Sequence, residues 1–326
     1  MSYEFYLWNI TNPDKIKEGD KPNLVEVGPF KYSQIVERKN YTISDDNRIV
    51  KYRNYQNIVK ISNKTAMITT MNGPFLIIDY ILEQLPIQVR KLVEVFLIEN
   101  DYGPIVTMSA DKLIFGYEDP LLALLNKYIP QLVPIKDFGY FYGQNGTESK
   151  VFEGKTGFQD ISQWMKIISY DNQNHLTLWS TKYANMINGT DGYGFSPMVP
   201  DSPFIFIDQM CRSVSLDLDE KNGLFYKYSL DWSTFDSVAK RPSNIGFCTD
   251  GYCPRNGIFN MTGCLETQFG FPVPIAATFP HLINVDSFYS DQIITTSSTV
   301  CQNGTRNFQT FAEIEQLSGL GTATTI

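Results

Sequence analysis

Histidine occurs only twice in 326 residues, at positions 175 and 281, and this scarcity closes most routes to imidazole chemistry. A Ser-His-Asp arrangement has few ways to form, and Gly194-Phe195-Ser196-Pro197 lacks the second glycine of a nucleophile elbow. Positive charge is in deficit as well: 27 Lys and Arg stand against 35 Asp and Glu, giving a net charge of −8 and a pI near 4.9. That balance argues against nucleic acid as a partner and against broad attraction to anionic membranes. No uncharged apolar run reaches the ~18 residues needed to span a bilayer. The N-terminal Met1-Ser2-Tyr3-Glu4-Phe5 has neither the basic region nor the apolar core of a secretory signal. Repeats and low-complexity tracts are missing.

Two nucleotide- or cation-binding patterns are present only in part. Gly154-Lys155-Thr156 would need a glycine where Ser149 stands to make a phosphate loop. Asp217-x-Asp219 imitates a calcium loop, but Lys221 occupies the fifth position, Gly223 comes one place late, and Tyr228 replaces the bidentate Glu. A turn accounts for the first and a hairpin for the second. Acidic residues are plentiful enough to keep a secreted glycoside hydrolase as an alternative, testable by whether an open polar cleft holds two carboxylates.

What the chain does have is apolar and aromatic material, 43% hydrophobic with 22 Phe and 19 Tyr, enough for the interior of one large domain or two ordinary ones. It has five cysteines, three of them spaced Cys248-x4-Cys253-x10-Cys264, with Cys211 upstream and Cys301 downstream. Zinc could use the close pair, but no second close pair follows, so no metal site is assigned. Disulfides are the other chemistry, and the acceptor sequence Asn260-Met261-Thr262 inside the block points to the oxidising compartment where they persist. Seven glycosylation sequons occur in all, at Asn9, Asn40, Asn63, Asn145, Asn188, Asn260 and Asn303, and glycans there require the outer surface.

Alternation of polar and apolar residues predicts a β meander over residues 5–11, 24–32, 34–43, 49–55 and 58–61. The texture turns helical from residue 65. Pro86 suits a first helical turn, and Gln88, Lys91 and Glu94 make one polar stripe on an otherwise apolar helix over residues 86–100. A further helical stretch covers residues 109–128, interrupted near Asp119-Pro120. Strands are expected again at 138–142, 150–152, 176–180 and 204–207. Val214, Leu216 and Leu218 alternate with polar neighbours before Asn222-Gly223 turns the chain back, a hairpin with one wet face.

The cysteine block, with Gly257-Ile258-Phe259 and Phe279-Pro280-His281, resembles the cysteine-rich segment of the class B scavenger receptors. Trp8-Asn9-Ile10-Thr11-Asn12-Pro13, Val27-Gly28-Pro29-Phe30-Lys31-Tyr32, Phe115-Gly116-Tyr117-Glu118-Asp119-Pro120 and Met186-Ile187-Asn188-Gly189-Thr190-Asp191 match the same family in the same order. The resemblance implies a mainly β fold with helices: a large antiparallel β barrel enclosing a hydrophobic tunnel, with a helical cap over approximately residues 65–130 and the cysteine-rich segment at 247–281. It implies one incomplete ectodomain, residues 1–326, whose terminal membrane helices lie outside this chain. It implies the disulfides Cys211–Cys264 and Cys248–Cys253, with Cys301 left single, and no catalytic residues and no cofactor.

The implied function is reception and transfer of lipid (sterol, fatty acid or phospholipid) or lipoprotein, at the plasma membrane or the lysosomal membrane, without enzymatic chemistry. A lysosomal membrane protein carrying a luminal hydrolase as protein partner is the alternative. In a fatty-acid-carrying member, lysines at the end of the capping helix attract anionic lipid; Glu99 and Asp101 stand at those positions here. Lipid is therefore expected to enter over Leu92, Val93, Phe96 and Leu97, with Arg90 and Lys91 making any anion contact and neutral lipids favoured.

Overall fold

Period-two alternation places Val50, Tyr52, Asn54, Gln56 and Ile58 on one face of a strand, and Tyr52, Asn54 and Ile58 are buried while Lys51, Asn57 and Val59 are exposed. A computed structural model describes residues 2–249, 251–295 and 311–325, and in it this strand, Ile49–Lys60, is the middle of a seven-stranded sheet. Along the main path the order is Ser2–Ile10, Asn23–Ile43, Ile49–Lys60, Phe152–Lys155, Ile167–Tyr170, all antiparallel. Thr147–Glu148 adds to the third strand, and Ile294–Thr295 pairs in parallel with the second.

A five-stranded sheet runs Phe204–Ile207, Arg212–Asn222, Phe225–Leu230, Phe311–Glu315, Gly321–Thr325. Its Asn222-Gly223 turn falls where expected, with Gly223 at φ 59. The molecule is thus mainly β with added helices, and the two large sheets are curled half-barrels. They meet through residues 189 and 190: Ile167 N–H donates to Gly189 O at 2.8 Å, and Phe206 N–H donates to Thr190 O at 2.8 Å. At the other side Ser2–Ile10 runs beside Gly321–Thr325.

The helices pack against one another. Gly73–Ile81 begins at Asn72, and Pro120–Tyr128 begins at Asp119, whose Oδ1 accepts from the N–H groups of Leu121 and Leu122, both at 3.0 Å. Ile87–Glu99 starts directly after Pro86. Their inward faces share one cluster, in which Ile77, Val93, Leu121 and Leu125 pack with Leu265, Phe271 and Val273 of the cysteine-rich segment. Each leucine buried to this degree contributes about 2 kcal/mol before entropy. A ribbon of Met67–Met71 and Ile105–Ser109 carries the chain in and out of the first two of these helices in chain order, Gly73–Ile81 and Ile87–Glu99.

One expected strand is absent and another is cut short, each for a local reason. Residues 176–180 form no strand because Asn185 takes the place of a neighbouring strand. Its Oδ1 accepts from Trp179 N–H at 2.8 Å and its Nδ2 donates to Trp179 O at 2.5 Å. The strand expected over 138–142 is confined to Asp137–Phe138, because the N–H groups of Tyr140 and Phe141 are used elsewhere. Tyr140 and Phe141 N–H cap the helix Ala110–Phe115 by donating to Leu113 O and Ile114 O.

Candidate functional site

Both sheets and the helical layer contribute side chains to one cavity of about 460 Å³. That volume falls in the roughly 300–1,000 Å³ range of small-molecule sites. Its wall is mostly apolar: Phe206 and Leu216 come from the second sheet, Ile77 from the helix Gly73–Ile81, Phe138 from the short strand Asp137–Phe138, Leu265 and Val273 from the cysteine-rich segment. The last four also belong to the cap cluster, so cap core and cavity wall are one continuous apolar body.

One end of the cavity is polar, built by inward positions of the first sheet that break the apolar alternation. Gln34 and Gln56 each donate through Nε2 to the Tyr193 hydroxyl, at 3.3 and 3.2 Å. Tyr3 joins the group, and burial pushes its hydroxyl above the ordinary tyrosine range, as it does that of Tyr193, so both stay protonated donors. Asp191 is fully engaged: Oδ2 accepts from Tyr52 OH at 3.0 Å and Asn54 Nδ2 at 2.9 Å, and Oδ1 accepts from Tyr193 N–H at 3.1 Å. Because a carboxylate only accepts, Asn54 must turn its nitrogen to Asp191, which leaves Oδ1 buried without a partner among the described residues.

Asp208 closes this pole. It follows the strand Phe204–Ile207 and lines the cavity, deeply enclosed by protein yet open to the cavity space. Its Oδ2 accepts from Tyr170 OH at 3.3 Å and its Oδ1 from Gln209 N–H at 3.0 Å. Burial pushes the carboxyl up to about 6, with the Tyr170 hydrogen bond pulling the other way.

Disulfides join Cys211 to Cys264 and Cys248 to Cys253, with Cα separations of 5.7 and 4.5 Å. The first fixes the helix Thr262–Phe269, which carries Leu265 into the cavity wall, against the start of Arg212–Asn222. His281 occupies a tight turn after Pro280, with Nε2 at 3.2 Å from Glu26 Oε1 and its ring edge-on to Trp8. Cys301 lies outside the described residues, as does Asn303.

On the helix Ile87–Glu99, Val93 is fully buried and Phe96 and Leu97 are half-buried against the cap cluster, while Leu92 is half-buried and Lys91 exposed. Arg90 is half-buried, its Nε donating to Leu85 O at 2.8 Å. The apolar residues that this helix presents to solvent are Ile87, Val95 and Ile98. Of the sequon asparagines, Asn40, Asn63, Asn145 and Asn188 are exposed, Asn9 and Asn260 half-buried. Asn9 Oδ1 accepts from Thr69 N–H at 2.8 Å, and Asn145 bonds both backbone groups of Ile58.

Curled sheets, a helical layer and a disulfide-braced apolar cavity with one polar pole define a cavity-bearing β protein. The chain belongs to the CD36 family, whose model it matches over residues 1–322. It is 28% identical to human (Homo sapiens) lysosome membrane protein 2 over 97% of this chain and 66% of that protein. It is 28% identical to mouse (Mus musculus) scavenger receptor class B member 1 over 89% of this chain and 57% of that protein. The chain thus spans about two thirds or less of the length of these curated relatives. Among the described residues no helix is long and apolar enough to cross a membrane.

Proposed function

We propose that the protein is a receptor and carrier for lipid, taken up directly or from lipoprotein, and that the cavity is where the lipid is held. In this reading the chain is the extracellular or luminal part of a membrane protein. Its two curled sheets together make the wall of a barrel, closed at Gly189–Thr190 and along Ser2–Ile10, around a tunnel that continues the cavity. The observation that carries the proposal is the shared apolar body: Ile77, Phe138, Leu265 and Val273 belong at once to the cavity wall and to the cap core that Val93, Phe96 and Leu97 pack against.

Lipid would meet Ile87, Val95 and Ile98 first, then pass over Leu92, Val93, Phe96 and Leu97, with Arg90 and Lys91 beside the path. Because Val93 is fully packed, passage requires the helix Ile87–Glu99 to move outward. No covalent chemistry is assigned. Asp191 serves as a hydrogen-bond acceptor for three neighbours, which suits binding better than hydrolysis.

The plasma membrane and the lysosomal membrane are both addresses that the relatives' names support. At the lysosomal membrane a luminal protein partner is the companion reading. The test is equilibrium binding of cholesterol and oleate to the purified protein, with Ala312→Trp to fill the cavity, Phe96→Asp, and the pair Arg90→Glu/Lys91→Glu. Loss of binding in Ala312→Trp and weakened binding in Phe96→Asp are expected. Unchanged binding in Ala312→Trp contradicts the cavity as the lipid site.

A further inference from the structure

We propose that the polar pole of the cavity is a headgroup site for an uncharged lipid alcohol, with Asp208 as the acceptor of its hydroxyl proton and the tyrosine hydroxyls as donors to its oxygen. The inference rests on the reading of the cavity as a lipid site and adds which class of lipid it takes. Three observations carry it.

The first is placement. Gln34, Asn54 and Gln56 stand at inward positions of strands whose other inward residues, such as Phe30, Tyr32, Tyr52 and Ile58, are apolar or aromatic core. Bonded to one another, to Tyr193 and to Asp191, they hold a polar group in place at one end of an otherwise apolar lumen. The second is unspent hydrogen-bonding capacity. Asp208 accepts from the Tyr170 hydroxyl, the Gln209 N–H and its own N–H, three of about four acceptor positions, and so keeps one towards the cavity. The Tyr3 and Tyr193 hydroxyls supply donors in the same cluster. A hydroxyl both donates and accepts, and matches this mixture.

The third is charge. The carboxylates at this pole are Asp208 and Asp191; the one cation paired with either among the described residues is Arg38, whose Nη2 lies 3.7 Å from Asp191 Oδ2. A fatty-acid carboxylate brought to this end would face like charge in an apolar surrounding, where such repulsion is poorly screened. An ether or ester, having no donor, would cover the remaining acceptor position of Asp208 without filling it.

The experiment holds the hydrocarbon constant and changes the head: binding of oleyl alcohol, oleyl methyl ether and oleate to the intact protein at about pH 7.5, where the Asp208 carboxyl is ionised. The alcohol should bind about tenfold more tightly than the ether or the oleate, the scale of one unanswered buried polar group. Asp208→Asn should keep the alcohol within about threefold of its affinity and strengthen oleate about tenfold. Asp208→Leu should reduce the alcohol to the level of the ether. Equal binding of alcohol and ether, or an oleate affinity indifferent to Asp208→Asn, overturns the headgroup site while leaving the cavity as a lipid site. If none of the three binds, or if Ala312→Trp leaves binding unchanged, the cavity reading falls and this inference falls with it.

Discussion

Gln268 Nε2 donates a hydrogen bond of 2.9 Å to the carbonyl oxygen of Asp208, tying the helix Thr262–Phe269 to the polar pole of the cavity. One turn earlier on that helix, Cys264 is bonded to Cys211, three residues beyond Asp208. The long disulfide and this hydrogen bond therefore brace the same corner. Closing a loop of 53 residues restricts the unfolded chain far more than closing one of 5. Loop-closure entropy puts the two contributions at about 4 and about 2 kcal/mol. Cys211→Ala/Cys264→Ala should accordingly lower the unfolding midpoint in urea by more than Cys248→Ala/Cys253→Ala, and should also loosen lipid binding. An equal loss from both pairs would show that the native state, and not the unfolded chain, decides the effect.

Asp208 makes stability depend on pH in a direction unusual for an aspartate. Its carboxyl is raised to about 6 in the folded protein by burial, against about 3.9 when unfolded. The folded state therefore holds the proton more tightly, and the stability linked to it is complete below about pH 4 and lost as pH rises through about 6. Asp208→Asn removes that loss. Urea unfolding from about pH 4 to about pH 7 should show the variant gaining on the original chain across that window, by on the order of 2 kcal/mol, and level above it. A constant difference at all pH values would mean that folding does not raise the Asp208 carboxyl.

Gly189 holds the junction of the two sheets at φ +85, and a Cβ added there would lie 1.8 Å from Phe204 O. Neither the backbone conformation nor the space admits a side chain. Gly189→Ala should cost about 3 kcal/mol or more and separate the strand Ile167–Tyr170 from Phe204–Ile207. Hydrogen exchange at the Ile167 and Phe206 amides, both bonded to this segment, reads the loss directly. Unchanged protection at those two amides would contradict the junction.

Glycan occupancy should follow side-chain engagement. Asn188 and Asn63 are exposed, and neither side chain is bonded to a strand backbone, so glycopeptide mass spectrometry of the secreted protein should find both occupied. Asn9, whose side chain holds Thr69 N–H, should be unoccupied. A fully occupied Asn9 would require the ribbon Met67–Met71 to detach from Ser2–Ile10.

Much of this architecture is legible in the residues. Alternation marks the strands of the first sheet, Asn222-Gly223 marks the hairpin, and Asp119-Pro120 marks a helix start that the Asp119 side chain then caps. The stretch around Trp179 misleads because Asn185, six residues on, satisfies its backbone; local sequence texture does not reveal such a partner. The polar pole was missed for a related reason. Gln34, Asn54 and Gln56 look like ordinary strand residues until the register places them inward. The signal was there in their spacing from Tyr32, Tyr52 and Ile58, but Tyr193 and Asp208 reach them only through tertiary folding. On the helix Ile87–Glu99, composition alone could not distinguish the packed side of Val93 from the open side of Ile98, since both are apolar.

The most direct test is photo-crosslinking with a photoactivatable sterol, followed by peptide mapping of the labelled protein. Label is expected on cavity-facing Phe206, Leu216, Met261 and Val273, drawn from both the second sheet and the cysteine-rich segment. It should disappear in Ala312→Trp. Label confined to outward residues such as Ile35, Val59 or Ile98, and indifferent to Ala312→Trp, would contradict the claim that lipid is held inside.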